Sequence, residues 1–259
     1  MPNILVCSHL EPEYITRIRA VDDSVCVMFR PDLIRRPRYV ADHIGEPLSR
    51  TAEQAEEWSR LMSSAEVLFD FDYADPDSLI RDGDRVRWVQ ASSAGIGGFV
   101  EKFDLHRSSA VFTTAAGVHA RPLAEFVLFG MLAFANNYPQ ARRQQREGRW
   151  KRFVGGEIEG ATLAIVGLGS IGREVARMAR RVGMRVIGSK RTVDGVDAAT
   201  LGVDALFPTS DLKAMFSEAD YLCLVAPLTP ETEGMMDRSA FAAMKDGSSK
   251  MRLKSVTPQ

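Results

Sequence analysis

Short apolar, β-branched runs alternate with stretches of helical periodicity along the chain, the pattern of a parallel sheet with crossover helices. In the first half, residues 4–7, 25–29, 67–69 and 86–89 read as strands. A loop carrying Pro31, Pro37 and Pro47 separates the second from the third and leads into a helix over about residues 52–62. Thr51 and Gln54 at its start form a capping box, in which a hydroxyl and an amide each satisfy a free backbone N–H. The turn Asp75-Pro76-Asp77 joins the third and fourth strands. A long apolar helix is predicted over about 121–137, with Pro122 in its first turn. Its apolar residues cover most of the circumference, which predicts burial between two layers or domains. Four further strands follow at Thr162–Val166, 185–188, 205–207 and 221–226. The last is apolar throughout, as a strand covered on both faces is.

The chain has 259 residues, 45% of them hydrophobic and 26% charged. This suits one large domain or two modest ones and excludes disordered, collagen-like and disulfide-scaffold classes. With 33 Lys+Arg against 34 Asp+Glu the net charge is -1, so no global field draws the chain to nucleic acid or anionic membrane. Six of the eleven residues 142–152 are basic. They read as a solvated helix end near the negative end of its dipole, or as a patch facing an anionic cofactor or a partner subunit. Cys7, Cys26 and Cys223 lie in apolar, strand-like stretches and read as reduced core thiols. The longest apolar run, residues 126–135, is about half of what a membrane span needs. Met1-Pro2-Asn3 enters a strand with no basic region before it. A soluble cytoplasmic protein without a metal site is the expectation.

The most informative segment is Thr162–Val166 followed by Gly167-Leu168-Gly169-Ser170-Ile171-Gly172 and a helix to about Val182. A G-x-G-x-x-G run with a strand before it and a helix after it has the context of a dinucleotide-binding turn. Gly167 allows the tight turn, Gly169 lets a pyrophosphate approach the backbone, and Gly172 lets helix and strand pack closely. Free N–H groups at Ser170 and Ile171 and the positive dipole end then face phosphate. About twenty residues on, an NAD site would place an acid on the ribose 2′-hydroxyl. Here the chain reads Ser189-Lys190-Arg191-Thr192, whose cations suit a 2′-phosphate. NADP(H) is therefore favoured, with NAD(H) as the alternative, and solvated loop residues as the reading without a ligand.

These residues, together with others along the chain, resemble the D-isomer-specific 2-hydroxyacid dehydrogenase family, which includes formate, glycerate, glyoxylate and hydroxypyruvate enzymes. Gln90-Ala91-Ser92-Ser93-Ala94-Gly95 looks like the family's substrate-carboxylate loop. Gly117-Val118-His119 with Ala124-Glu125 looks like the start of its interdomain helix. Ala226-Pro227-Leu228-Thr229-Pro230-Glu231-Thr232 resembles the loop that covers the dinucleotide. The resemblance implies a flavodoxin-like substrate domain over 1–109 and a Rossmann-type, doubly wound dinucleotide domain over 110–259. It implies hydride transfer between nicotinamide and a 2-keto or 2-hydroxy acid, with the amides of Ala94 and Gly95 on the substrate carboxylate. Ala226, Pro227 and Thr232 join Gly167–Gly172 and Ser189, Lys190 and Arg191 as the implied cofactor residues. A homodimer through the dinucleotide domain is common in the family.

The family's catalytic Arg, Glu and His come after a segment like Phe241-Ala242-Ala243-Met244-Lys245-Asp246-Gly247, and here none follows in register, the arginine falling on about Ser255. The expectation is therefore a C-terminally truncated or frame-shifted chain with no catalytic residue and little or no turnover. The alternative is a non-catalytic, dinucleotide-responsive binding protein. His9, His43, His106 and His119 all precede the glycine turn and read as surface or capping residues. Residues 221–226 would then be an edge, unless the tail, where Met251 and Leu253 alternate with Lys250, Arg252 and Lys254, adds a charged edge strand.

Overall fold

The structure, a computed structural model, describes residues 2–227, 229, 231–245 and, for the main chain, 249–252. It forms two compact units, one ending at Ala116 and the next beginning at Gly117. The first contains β1 (Asn3–Val6), α1 (Pro12–Arg19), β2 (Cys26–Met28), α2 (Ala52–Ser64), β3 (Val67–Phe69), α3 (Ser78–Asp82), β4 (Trp88–Gln90), α4 (Gly97–Lys102) and β5 (Val111–Thr113). All five strands are parallel, in the order β2-β1-β3-β4-β5. This is the flavodoxin-like order, which reverses direction between β1 and β3. Since β5 pairs with β4, with Val89 opposite Phe112, the first unit runs past residue 109 and the division falls after Ala116.

Leu5, Leu68 and Val89 of this sheet pack against Trp58 and Met62 of α2. That helix starts at the expected capping box: Gln54 N–H donates to the Thr51 hydroxyl at 3.3 Å, and Thr51 N–H donates to the Gln54 side chain at 3.0 Å. Arg50 lies 4.1 Å over the Trp58 ring and grips buried Asp72 through bonds of 2.7 and 3.0 Å. Its Nε also donates to the Leu33 carbonyl. The full set of partners is what allows two charges to sit away from water.

The second unit contains α5 (Ala120–Ala135), α6 (Tyr138–Arg146), β6 (Thr162–Val166), α7 (Ser170–Arg181), β7 (Arg185–Lys190), β8 (Ala205–Pro208), α8 (Leu212–Glu218), β9 (Tyr221–Leu224), α9 (Arg238–Ala242) and β10 (Ser249–Arg252). Its strands are parallel in the order β10-β9-β6-β7-β8. Central β6 is buried along its length. Leu163 and Ile165 pack in a cluster with Val127 and Met131 of α5 and Val175 and Ala179 of α7. Ala164 and Val166 pack in another with Met215 and Phe216 of α8 and Ala240 of α9. Alternate side chains thus serve two helical layers, which makes this a doubly wound, Rossmann-type α/β unit.

Several expectations change. The predicted helix over 121–137 ends at Ala135, and Asn137, in the left-handed region at φ 46°, starts α6 as a separate helix. Only the stripe Ala124, Val127 and Met131 of α5 is buried, while Phe126, Phe129 and Phe134 are 57%, 56% and 52% exposed. The all-round apolar composition therefore does not translate into all-round burial. Cys26 faces outward at the start of β2, unlike the core positions of Cys7 and Cys223. β9 is not an edge: β10 pairs with it in parallel, Lys250 opposite Leu222. Leu253, Lys254 and Ser255 lie outside the described residues.

Candidate functional site

The chain leaves β6 for β7 and β8 on one side, then crosses to β9 on the other. The crevice at such a reversal, outside the carboxyl ends of the strands, is where doubly wound sheets receive ligands. The turn Gly167–Gly172 occupies this point. Gly167 has φ 99°, which a side chain rarely adopts, and a β-carbon there would lie 2.8 Å from the backbone of Ala226. Its N–H donates to the Ser189 carbonyl at 3.3 Å. The turn, the end of β7 and the loop after β9 are thus drawn together around one glycine.

A β-carbon on Gly172 would collide with the Gly167 carbonyl oxygen, whereas one on Gly169 would meet nothing within 4 Å. The first glycine serves the packing of α7 on β6, and the second opens onto free space. The first helical bond of α7 runs from the Arg173 N–H to the Gly169 carbonyl at 3.0 Å. The amides of Ser170, Ile171 and Gly172 precede it and have no intrahelical acceptor. No side chain caps them. They present donors and the positive helix end to the same open space.

Ser189 is buried at the end of β7, and its hydroxyl has no partner among the described residues. A buried hydroxyl left so costs about 1–3 kcal/mol, and a ligand hydroxyl or phosphate would satisfy it. Lys190 and Arg191 follow, both exposed. The Arg191 guanidinium is 3.9 Å from the Glu231 carboxylate, which comes from the loop after β9. The Thr229 hydroxyl and the Glu231 amide, opposed by slight burial and joined by Arg191, hold the Glu231 carboxyl below its ordinary value. Sequence reasoning missed Glu231, since only the fold brings it to Arg191.

In that loop Thr232 has a structural task. Its hydroxyl donates to the Pro227 carbonyl at 2.6 Å and accepts the Thr229 N–H at 2.8 Å. Ala226 presses on Gly167 and Pro227 is exposed, while Leu228 and Pro230 lie outside the described residues. Open backbone at Gly169, three free amides and an orphaned hydroxyl form one set, and the residues present fit a dinucleotide.

Ala94 and Gly95 belong to the first unit, in the exposed turn between β4 and α4. Their amides have no acceptor among the described residues. The turn is fastened on both sides of them: the Ser92 hydroxyl donates to Asp70 at 2.5 Å, and the Ala115 N–H donates to the Ser93 carbonyl at 3.2 Å. Of the histidines, His43 Nδ1 lies 3.2 Å from the His9 carbonyl, and His119 is exposed at the head of α5. No histidine bonds a carboxylate side chain among the described residues.

A parallel sheet wound in both directions, with a glycine turn and a bare helix head at its reversal, defines a protein of the Rossmann class. Residues 128–249 match the family described as D-isomer specific 2-hydroxyacid dehydrogenase, NAD binding domain. It is 34% identical over 157 residues to D-3-phosphoglycerate dehydrogenase of Methanocaldococcus jannaschii, covering 59% of this chain and 29% of that one. It is 36% identical over 133 residues to hydroxypyruvate reductase of Thermotoga maritima, covering 51% and 41%. The chain thus spans less than half the length of either relative. A family protein from Aeromonas salmonicida shares the fold at TM-score 0.75 and 23% identity, covering 97% of this chain and 72% of that one. One from Xanthobacter autotrophicus, solved with NADPH and MES, does so at TM-score 0.71 and 21% identity, covering 97% and 71%. Among the described residues no helix is long and apolar enough to cross a membrane.

Proposed function

We propose that the unit beginning at Gly117 binds NADP(H), and that the whole chain serves hydride transfer between nicotinamide and a small 2-keto or 2-hydroxy acid. The observation that carries this reading is the bare head of α7: amides of Ser170, Ile171 and Gly172 facing space that Gly169 leaves open. Those amides and the helix dipole would hold the pyrophosphate. Ser189, Lys190 and Arg191 would hold the ribose end, with the two cations favouring a 2′-phosphate. Ala226, Pro227 and Thr232 would form the opposite wall. The NADPH found in the Xanthobacter protein of like fold agrees with this preference. When bound, the coenzyme supplies or accepts the hydride. The Ala94 and Gly95 amides would orient the substrate carboxylate, donating to its oxygens without moving a proton.

The test is a fluorescence titration with NADPH and NADH, followed by coenzyme oxidation with glyoxylate and hydroxypyruvate. Tighter binding of NADPH than NADH supports the reading, and no binding of either overturns it. A second reading is a dinucleotide-responsive binding protein without turnover. It predicts coenzyme binding with no acid-dependent oxidation.

A second copy of the chain is the proposed partner. Phe129, Phe134, Tyr138 and Val154 line an open hollow of about 780 Å³ on α5 and α6, and an exposed apolar patch of this kind marks an association surface. Light scattering at micromolar concentration should give a dimer mass, and Phe129→Glu should give the monomer.

A further inference from the structure

Asp70 follows β3 at the carboxyl edge of the first sheet, beside the strand-order reversal between β1 and β3. It is fully buried and sits in the left-handed region at φ 67°. Asp and Asn tolerate this conformation better than other side chains. Its N–H donates to the Gln90 carbonyl at 2.7 Å, which ties it to the end of β4. Each carboxylate oxygen takes one hydroxyl: Tyr73 Oη donates to Oδ1 at 3.1 Å and Ser92 Oγ donates to Oδ2 at 2.5 Å. Burial and the neighbouring Asp70 charge push the Tyr73 hydroxyl well above its ordinary value, so it stays a donor. The other acid of this segment, Asp72, is occupied by Arg50 and by the Ser78 hydroxyl.

We infer that Asp70, acting through Ser92, is the positioning residue that presets the Ser92-Ser93-Ala94-Gly95 turn to receive a carboxylate. This rests on the proposed role of the Ala94 and Gly95 amides and adds what holds them. A turn with two unpaired amides has no internal bond to keep it in shape, and ordering it on binding would subtract from affinity. The latch from Asp70 to Ser92 on one side and the Ser93 carbonyl bond to Ala115 on the other remove that disorder beforehand. Asp70 itself is buried, so its task is to hold Ser92 and not to touch the substrate.

The experiment titrates oxalate, a carboxylate that the reaction cannot reduce, into the full 15N-labelled chain with and without NADPH, following the Ala94 and Gly95 amide signals. In the unaltered protein both signals should shift and saturate. If they stay still, the carboxylate role of the turn fails, and this inference with it. If they shift, Ser92→Ala should weaken oxalate about tenfold or more, on the scale of one lost bond to a charged group. It should also speed hydrogen exchange at both amides and leave NADPH affinity unchanged. Ser92→Thr, which keeps the hydroxyl, should restore binding. Asp70→Gly, which removes the acceptor and tolerates the left-handed backbone, should match Ser92→Ala. Equal oxalate affinity in Ser92→Ala and the unaltered protein would overturn the inference while leaving the turn's role intact. Should Asp70→Gly not fold, the Ala and Thr variants at Ser92 decide alone.

Discussion

The carbonyl oxygen of Gly167 fills the space that a β-carbon on Gly172 would need, so strand β6 and helix α7 meet backbone to backbone. Three residues along the same turn, Gly169 borders no protein atom that a β-carbon would touch. One glycine answers to the fold and the other to a ligand.

Their alanine variants should therefore part company. Gly172→Ala overpacks a closed contact and should cost about 1–3 kcal/mol or more, seen as a lowered denaturant midpoint. Gly169→Ala should leave that midpoint unchanged and weaken NADPH about tenfold or more, by standing where the pyrophosphate approaches. Equal thermal and binding behaviour of the two would contradict the assignment.

Arg191 should govern the choice of coenzyme. Loss of its charged bonds in Arg191→Ala should weaken NADPH about tenfold while changing NADH less than about twofold. The difference should shrink as salt is raised, because the side chain is exposed and screened. Paired titrations at low and high ionic strength check both statements.

Glu174 links stability to acid. Hydrogen bonds from Arg177 hold its carboxyl down to about 2, from an ordinary 4.5, against slight burial and with help from the Arg177 charge and from Arg121 on α5. The folded value lies below the unfolded one. The contribution is therefore full above pH 4.5 and is lost as pH falls toward 2. Urea midpoints should fall less steeply over that window in Glu174→Gln than in the unaltered chain. Parallel curves would remove the linkage.

A thiol reagent should distinguish the cysteines. Cys26 is exposed, whereas burial pushes Cys223 up to about 12 and raises buried Cys7 strongly. One equivalent should react quickly in the native protein, and Cys26→Ser should abolish that phase.

Strands β1–β4 and β6–β9 and the glycine turn were legible because each is encoded locally, whereas the three-residue β5 was not read from the sequence. Residues 162–182 carry an apolar run, three spaced glycines and a helical stripe in one short stretch of chain. The helices α3 and α4 span five and six residues, too few for a 3.6-residue period to show. Cys26 misled because an apolar three-residue strand does not say which of its faces is covered. The Phe residues of α5 misled for a related reason, since hydrophobicity reports what a surface prefers and not whether this chain supplies the cover. The Asp70–Ser92 and Arg191–Glu231 pairings join residues 22 and 40 positions apart and exist only once the strands are ordered.

The contact of Gly167 with Ala226 has a consequence for lineage and for engineering. It joins a loop from each half of the second sheet, so neither can lengthen or gain bulk without forcing a matching change in its neighbour. Homologues that alter one should carry a compensating alteration in the other. Grafting a foreign coenzyme preference onto this scaffold would require transplanting the two as a single cassette.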